Sequence, residues 1–357
     1  MLGLQKSATT FSIVLTTIPI QQGHKPMKKF AFLAAVAGIS SVALADTTVF
    51  SDDFGTNSSA NYAVVIAGEA TAQFGFDATG LQAGGITLAD IPSAPGQTGE
   101  NVLRFEANPT SGARSGVTVF PNVTIPAATD FRVTLYAFQR VNPSGIDFTG
   151  GSGSSQDLVI AINTDGTKVI SQQQGLGNLP NALTGYFFGV VGDAGFGNPS
   201  SNTSNGNYKL VEGNPAGIST PTTQAVTWTY GTGNASGADI FGGLHGGGGF
   251  QALLGPTNGY NYFGGVGEGP GDKWTKYTVT WTASSATMSV AMNDVVVATY
   301  TDPDATFNAG GKVGVGIYDP TNSTAGAGNG YTLIDGLLVE TIAAPPVSSA
   351  ENWAVYQ

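Results

Sequence analysis

Two aspartates near opposite ends of the chain are the residues best placed to do chemistry together. Asp52 stands in Phe50-Ser-Asp-Asp-Phe54, and Asp335 in Leu333-Ile-Asp-Gly-Leu337. Strict alternation along an extended strand puts Asp52 in phase with Phe50 and Phe54, and Asp335 in phase with Leu333, Leu337 and Val339. Both carboxylates then share an apolar face, where an unpaired charge is costly and a hard cation with oxygen ligands resolves the cost. The pattern predicts a structural Ca²⁺ site at Asp52 and Asp335, with Asp53 as a further ligand. A bulge at Gly336, or strand ends open to water, is the competing reading of the same residues.

A second group is aromatic. Tyr260, Tyr262 and Phe263 lie in a Gly- and Asn-rich stretch ahead of Trp274, with Asn258 just before them and Asn261 between the tyrosines. Flat rings cover the apolar faces of sugars and carboxamides bond their hydroxyls, so these six residues are the candidate carbohydrate-binding set. The alternative is that the rings pin a loop onto the body of the fold. Asp302-Pro-Asp304 and Asp319-Pro-Thr-Asn322 have the chemistry of solvated turns, although either acid has the oxygens to ligate a cation.

Several chemistries find no support. None of the seven glutamates stands in the Glu-x-Asp-x-(x)-Glu spacing that sets two carboxylates on one strand face for glycoside cleavage. His245 lies in a run of glycines, and no Gly-x-Ser-x-Gly elbow accompanies it. Those glycines also lack the Lys-Ser/Thr of a phosphate loop. With no cysteine, disulfides, thiolate metal sites and thiol catalysis are excluded.

The elements that must position these residues are strands. Lys276–Thr282 alternates Tyr277, Val279 and Trp281 against lysine and threonines, and Ala286–Met292 alternates Met288, Val290 and Met292. Asn293-Asp294 is a hairpin turn leading into Val295–Tyr300. Lys312–Tyr318 and Tyr331–Glu340 follow. Earlier strands are expected at Val49–Phe54, Tyr62–Ile66, Val102–Glu106, Gly116–Phe120, Phe131–Gln139, Asp157–Asn163 and Tyr186–Val191. Asn198–Pro221 and Gly231–Gly271 read as long loops, and Trp228 and Trp281 as core residues. With 52 glycines in 357 residues and no amphipathic helix, the chain reads as an all-β, antiparallel β-sandwich.

Met27-Lys28-Lys29, the apolar run to Val42 and Ala43-x-Ala45 form a secretory signal peptide. The apolar run is shorter than the ~20 residues of a membrane-spanning helix. The expected organisation is an N-terminal extension and signal peptide over 1–45, one sandwich domain over 46–343 and a short tail over 344–357. Four of the 13 basic residues and none of the 24 acids lie in 1–45, so the net charge of −11 becomes −15 after cleavage. A surface this acidic opposes binding to nucleic acid, whose phosphates need lysine and arginine, and favours cations or neutral polymers.

Phe50-Ser-Asp-Asp-Phe54, Tyr277-Thr-Val-Thr-Trp281, Met288–Val297 and Thr332-Leu-Ile-Asp-Gly-Leu-Leu-Val339, in that order, resemble the concanavalin A-like lectin/glucanase jelly roll, including laminin-G-like members in exported bacterial proteins. The resemblance is most specific over Tyr277–Glu340. It implies a jelly-roll sandwich and a lectin, hydrolase, lyase or adhesion role, a range too wide for fold alone to narrow. The expected function is a secreted noncatalytic module binding a polysaccharide or other glycan, outside the cell or in the periplasm. A polysaccharide hydrolase or lyase, and a structural matrix or cell-envelope protein, are the alternatives.

Overall fold

Every strand pairing is antiparallel, the arrangement that lets short turns join neighbours and sends alternate side chains to opposite faces. The computed structural model describes residues 45–79, 82–83, 86–87, 93–107, 109–110, 114–140, 157–171, 184–191, 208–213, 227–228, 274–319 and 330–343. The strands in chain order are β1 (Thr47–Asp52), β2 (Tyr62–Ala67), β3 (Thr71–Asp77), β4 (Gln82–Ala83), β5 (Ile86–Thr87), β6 (Asn101–Glu106), β7 (Gly116–Pro121), β8 (Phe131–Gln139) and β9 (Asp157–Thr164). They continue with β10 (Tyr186–Val191), β11 (Tyr208–Glu212), β12 (Thr227–Trp228), β13 (Trp274–Thr282), β14 (Thr287–Met292), β15 (Val295–Thr301), β16 (Lys312–Tyr318) and β17 (Thr332–Thr341).

The larger sheet runs β12-β15-β14-β13-β8-β17-β6-β3, with β1 also paired to β17, and the smaller runs β11-β10-β9-β16-β7-β2. The chain crosses repeatedly between the two sheets. β16 settles between β7 and β9 in one, and β17 between β6 and β8 in the other. The result is an antiparallel β-sandwich of jelly-roll type. Between the sheets lies one core, to which the larger sheet contributes Leu135, Tyr277, Trp281, Met288 and Val290, and the smaller Val119, Ile160, Phe188, Val315 and Ile317. The inward residues are those that alternation assigns. Asn293 and Asp294 take φ of 48° and 67°, the left-handed pair that a two-residue hairpin turn requires.

Strands β3 and β11, and the two-residue strands β4 and β5, are not among those expected. β11 lies inside the stretch read as a loop, pairs with β10 and buries Leu210 in the core. β3 was not expected, because Gly75, at φ +64°, shifts its register and breaks the alternation, leaving Phe74 in the core and Phe76 on the opposite face. Among the described residues, the helical segments are two three-residue turns, and no helix is long and apolar enough to cross a membrane.

Candidate functional site

β1 pairs with β17, and Asp52 lies opposite Leu337, so the first and last strands do meet. Strand β1 stops at Asp52, two residues before the expected end. The Asp52 Oδ1 accepts the Phe54 N–H at 2.8 Å, closing a local turn in which Phe54 takes φ 53°. On the other side, β17 slips register against β8 between Asp335 and Leu338. Gly336 makes the slip with φ +58°, and a Cβ there would come 2.7 Å from Gln97 Nε2. Ile334 points into the core before the bulge, and Leu337 and Val339 after it. Asp335 therefore falls with Leu333 on the outer face, opposite Tyr136 of β8, and not in phase with Leu337 and Val339 as unbroken alternation requires.

Around this bulge the three aspartates have different surroundings. Asp52 accepts three hydrogen bonds: its Oδ2 accepts the Ser58 hydroxyl at 2.5 Å and the Tyr62 hydroxyl at 2.8 Å, in addition to the bond from Phe54 to Oδ1. Burial, and secondarily the Asp52 carboxylate, holds the Tyr62 phenol well above its ordinary range. Asp53 is exposed, and its Oδ1 accepts the Gly55 N–H at 3.0 Å. Asp335 is 2% exposed, and its Oδ1 accepts the Gly336 N–H at 2.7 Å. Its carboxyl is pushed up to about 6, chiefly by burial; the Gly336 N–H works against the shift, and the charges of Asp53 and Asp52 add to it.

Beside them opens a cleft of about 380 Å³, lined by Ser51, Asp52, Asp53, Gln97 and Gly336–Leu338. That volume is within the range of small-ligand sites, and carboxylate, carboxamide and leucine surfaces face one another across it. Calcium takes six to eight oxygens, and at Asp52 Oδ2 it would compete with the Ser58 and Tyr62 hydroxyls. Among the described residues, no three acidic or histidine side chains converge as a metal-binding group.

Of the candidate sugar-binding residues, Tyr260, Tyr262, Phe263, Asn258 and Asn261 lie outside the described residues, as does His245. Trp274 is half-buried on the outer face of the larger sheet, edge-on to Phe138 with ring centroids 5.8 Å apart. Nearby on that face, the Arg104 guanidinium lies 4.6 Å from the Phe76 ring and 5.2 Å from Tyr331, and pairs with Glu106 at 2.7 Å.

Asp304 is exposed, as a solvated turn requires, but Asp302 and Asp319 are not. Asp302 is buried and accepts from the Tyr186 hydroxyl at 2.5 Å and from the Thr306 and Asp304 N–H groups at 2.7 and 2.9 Å. It ties the turn to Tyr186, which stacks on Trp281 in the core. Asp319 is likewise fully buried. Gln97, Ser58 and Tyr62 escaped the sequence reading. The Asp-x-Phe turn after Asp52 was the available hint for the Ser58 and Tyr62 contacts, whereas nothing local marks Gln97.

Two antiparallel sheets wound as a jelly roll, with a polar cleft where the first and last strands meet, define the class of molecule. No protein-family model matches the chain, and no curated protein does. Similar solved structures include the metal-free carbohydrate recognition domain of Emp46p, at TM-score 0.39 and 8% identity over 84% of this chain and 95% of that one. A galectin-like protein of unknown function from Bacillus subtilis aligns at TM-score 0.43 and 8% identity, over 84% of this chain and 98% of that one. The metal-free lectin I-B4 of Griffonia simplicifolia aligns at 0.40 and 12%, over 82% and 99%.

Proposed function

We propose that the chain is an exported, noncatalytic module that binds carbohydrate, and that the cleft at the Gly336 bulge is its recognition site. The observation that carries the reading is the juxtaposition in one cleft of Asp53, Gln97 and Leu338. A carboxylate and a carboxamide together accept from and donate to sugar hydroxyls, while Leu338 covers a C–H face. Asp52 lines the cleft beside Asp53, and the two lend the site negative potential, which suits neutral polyhydroxyl ligands better than anionic ones.

Export is part of the proposal and is supported by where the fold begins. β1 starts at Thr47, two residues past Ala45. Asp46 is already tied down, accepting from Ala343 N–H at 3.1 Å and pairing with Arg132 at 2.9 Å. Nothing ahead of Asp46 is needed for those contacts, so cleavage after Ala45 would leave them whole. Calcium, in this reading, would have to draw on Asp53 and Asp335, since Asp52 is already engaged by three donors.

A polysaccharide panel, screened with calcium and with chelator, tests the function. Retention of at least one neutral polysaccharide without release of reducing sugar is expected. Loss of retention in chelator assigns calcium a part. Failure to retain any glycan in either condition overturns the reading.

A further inference from the structure

On the outer face of the larger sheet, six side chains on three adjacent strands form a regular block. β13 presents Thr280 and Thr282, β14 presents Ser289 and Thr287, and β15 presents Thr299 and Thr301. Pairing sets them in two rows, one of Thr280, Ser289 and Thr299, the other of Thr282, Thr287 and Thr301. All six reach solvent, because Val279, Trp281, Met288, Val290 and Tyr300 take the core-facing positions of the same strands. The slip between β14 and β15 falls beyond the block, between Val290 and Ala291. Within the second row, Thr287 Oγ1 and Thr301 Oγ1 are hydrogen-bonded at 2.9 Å. Such rows repeat at about 4.8 Å across a sheet, and every second residue of a strand at about 6.8 Å along it. Twist turns each strand by about 20–25° from the last, and a block three strands wide takes up only two such steps.

We propose that this block is an ice-binding surface, whose hydroxyl and methyl groups hold water in the positions of an ice face and so fix the protein to a growing crystal. Two features select ice as the occupant. The first is spacing. Water oxygens on the prism face of hexagonal ice repeat in two perpendicular directions at distances close to those of the block, whereas a dissolved glycan presents no such lattice. All six side chains carry a hydroxyl, which both donates and accepts, so either orientation of a lattice water is matched. Five are threonine, whose β-branch confines hydroxyl and methyl to few rotamers, and an ordered surface loses little freedom on binding an ordered one. The second is charge. In a chain of net charge −11 the block is neutral, as ice is. Arg132, which borders it opposite Thr280, is already paired with Asp46 and Glu340. The block shares no residue with the cleft at Gly336, so the two activities can be lost separately.

The test follows single ice crystals in a solution of the whole protein, cooled slowly just below the melting point of ice. Faceted crystals are expected, with a gap between freezing and melting points wider than an inert protein gives at the same molar concentration. Ser289→Lys, at the centre of a row, should abolish the facets and remove at least half of the gap, with the protein's own melting temperature unchanged. Thr280→Tyr supplies a second variant that does not depend on the first one folding well, since tyrosine is favoured in strands and its ring would stand above the block. It should have the same effect. Ile66→Lys, at an exposed position of β2 in the other sheet, should leave facets and gap as they are. Round crystals with the wild-type protein overturn the proposal. So do facets that survive both Ser289→Lys and Thr280→Tyr, or that Ile66→Lys removes as well.

Discussion

The β13–β14 hairpin and the seam between β1 and β17 are built from the same alternating residues, yet only the hairpin keeps the alternation. Tyr277, Val279 and Trp281 on β13 and Met288, Val290 and Met292 on β14 enter the core, and these two strands pair without a register shift, whereas β14 and β15 shift between Val290 and Ala291. At the seam, Gly336 shifts the phase by one. Asp335 is carried to the outer face, a backbone N–H is turned toward its carboxylate, and the backbone comes close enough for Gln97 to lie on it. Regular pairing buries apolar surface and leaves little behind. A bulge interrupts the ladder, and the polar groups that gather around it create a cleft.

Changing the bulge should therefore cost more than changing the hairpin's outward face. Gly336→Val puts a β-branched residue at φ +58° against Gln97 and should lower unfolding free energy by about 2–3 kcal/mol in chemical denaturation. Thr278→Val, on the outward face of β13, should stay within about 0.5 kcal/mol. Equal costs would remove the distinction between the two regions.

The next effect is electrostatic. The Asp335 carboxyl titrates near 6 in the folded protein and near ~3.9 in an unfolded chain, so between these values the folded state holds a proton that the unfolded state has lost. Its contribution to stability is full below about pH 4 and is lost as pH rises through 6. Asp335→Asn, which keeps an oxygen for the Gly336 N–H, should flatten that dependence. It should gain about 1–2 kcal/mol on wild type at pH 7 relative to pH 4. Parallel pH profiles for the two proteins would contradict the burial of this carboxyl.

The smallest effect belongs to the hairpin. Lys276 Nζ and Asp294 Oδ1 form an exposed ion pair at 2.7 Å, and Lys276→Ala should cost less than about 0.5 kcal/mol, a difference that shrinks further in high salt.

The same contrast explains what could be read from the residues. Strands β8, β10 and β16 fall where alternation and turn residues place them, because a regular strand writes its burial into its sequence with period two. β3 did not, since Gly75 puts Phe74 and Phe76 on opposite faces and cancels the signal. The pairing of the strand of Asp52 with that of Asp335 followed from setting the first strand beside the last. Their separate fates did not, because they depend on Ser58, Tyr62 and Gln97, which no local spacing connects to β17. Asp302 shows the same limit, its Asp-Pro turn being buried by a tyrosine 116 positions away.

The cleft's role is tested most directly by titrating a retained glycan against wild type and against Asp53→Ala and Gln97→Ala by calorimetry. Each substitution removes a hydrogen-bonding group from the cleft while leaving the core contacts of Phe54 and Leu337 in place. The predicted result is a loss of affinity of roughly tenfold or more in each variant, with melting temperatures within a few degrees of wild type. Unchanged affinity in both variants would contradict the assignment of recognition to this cleft.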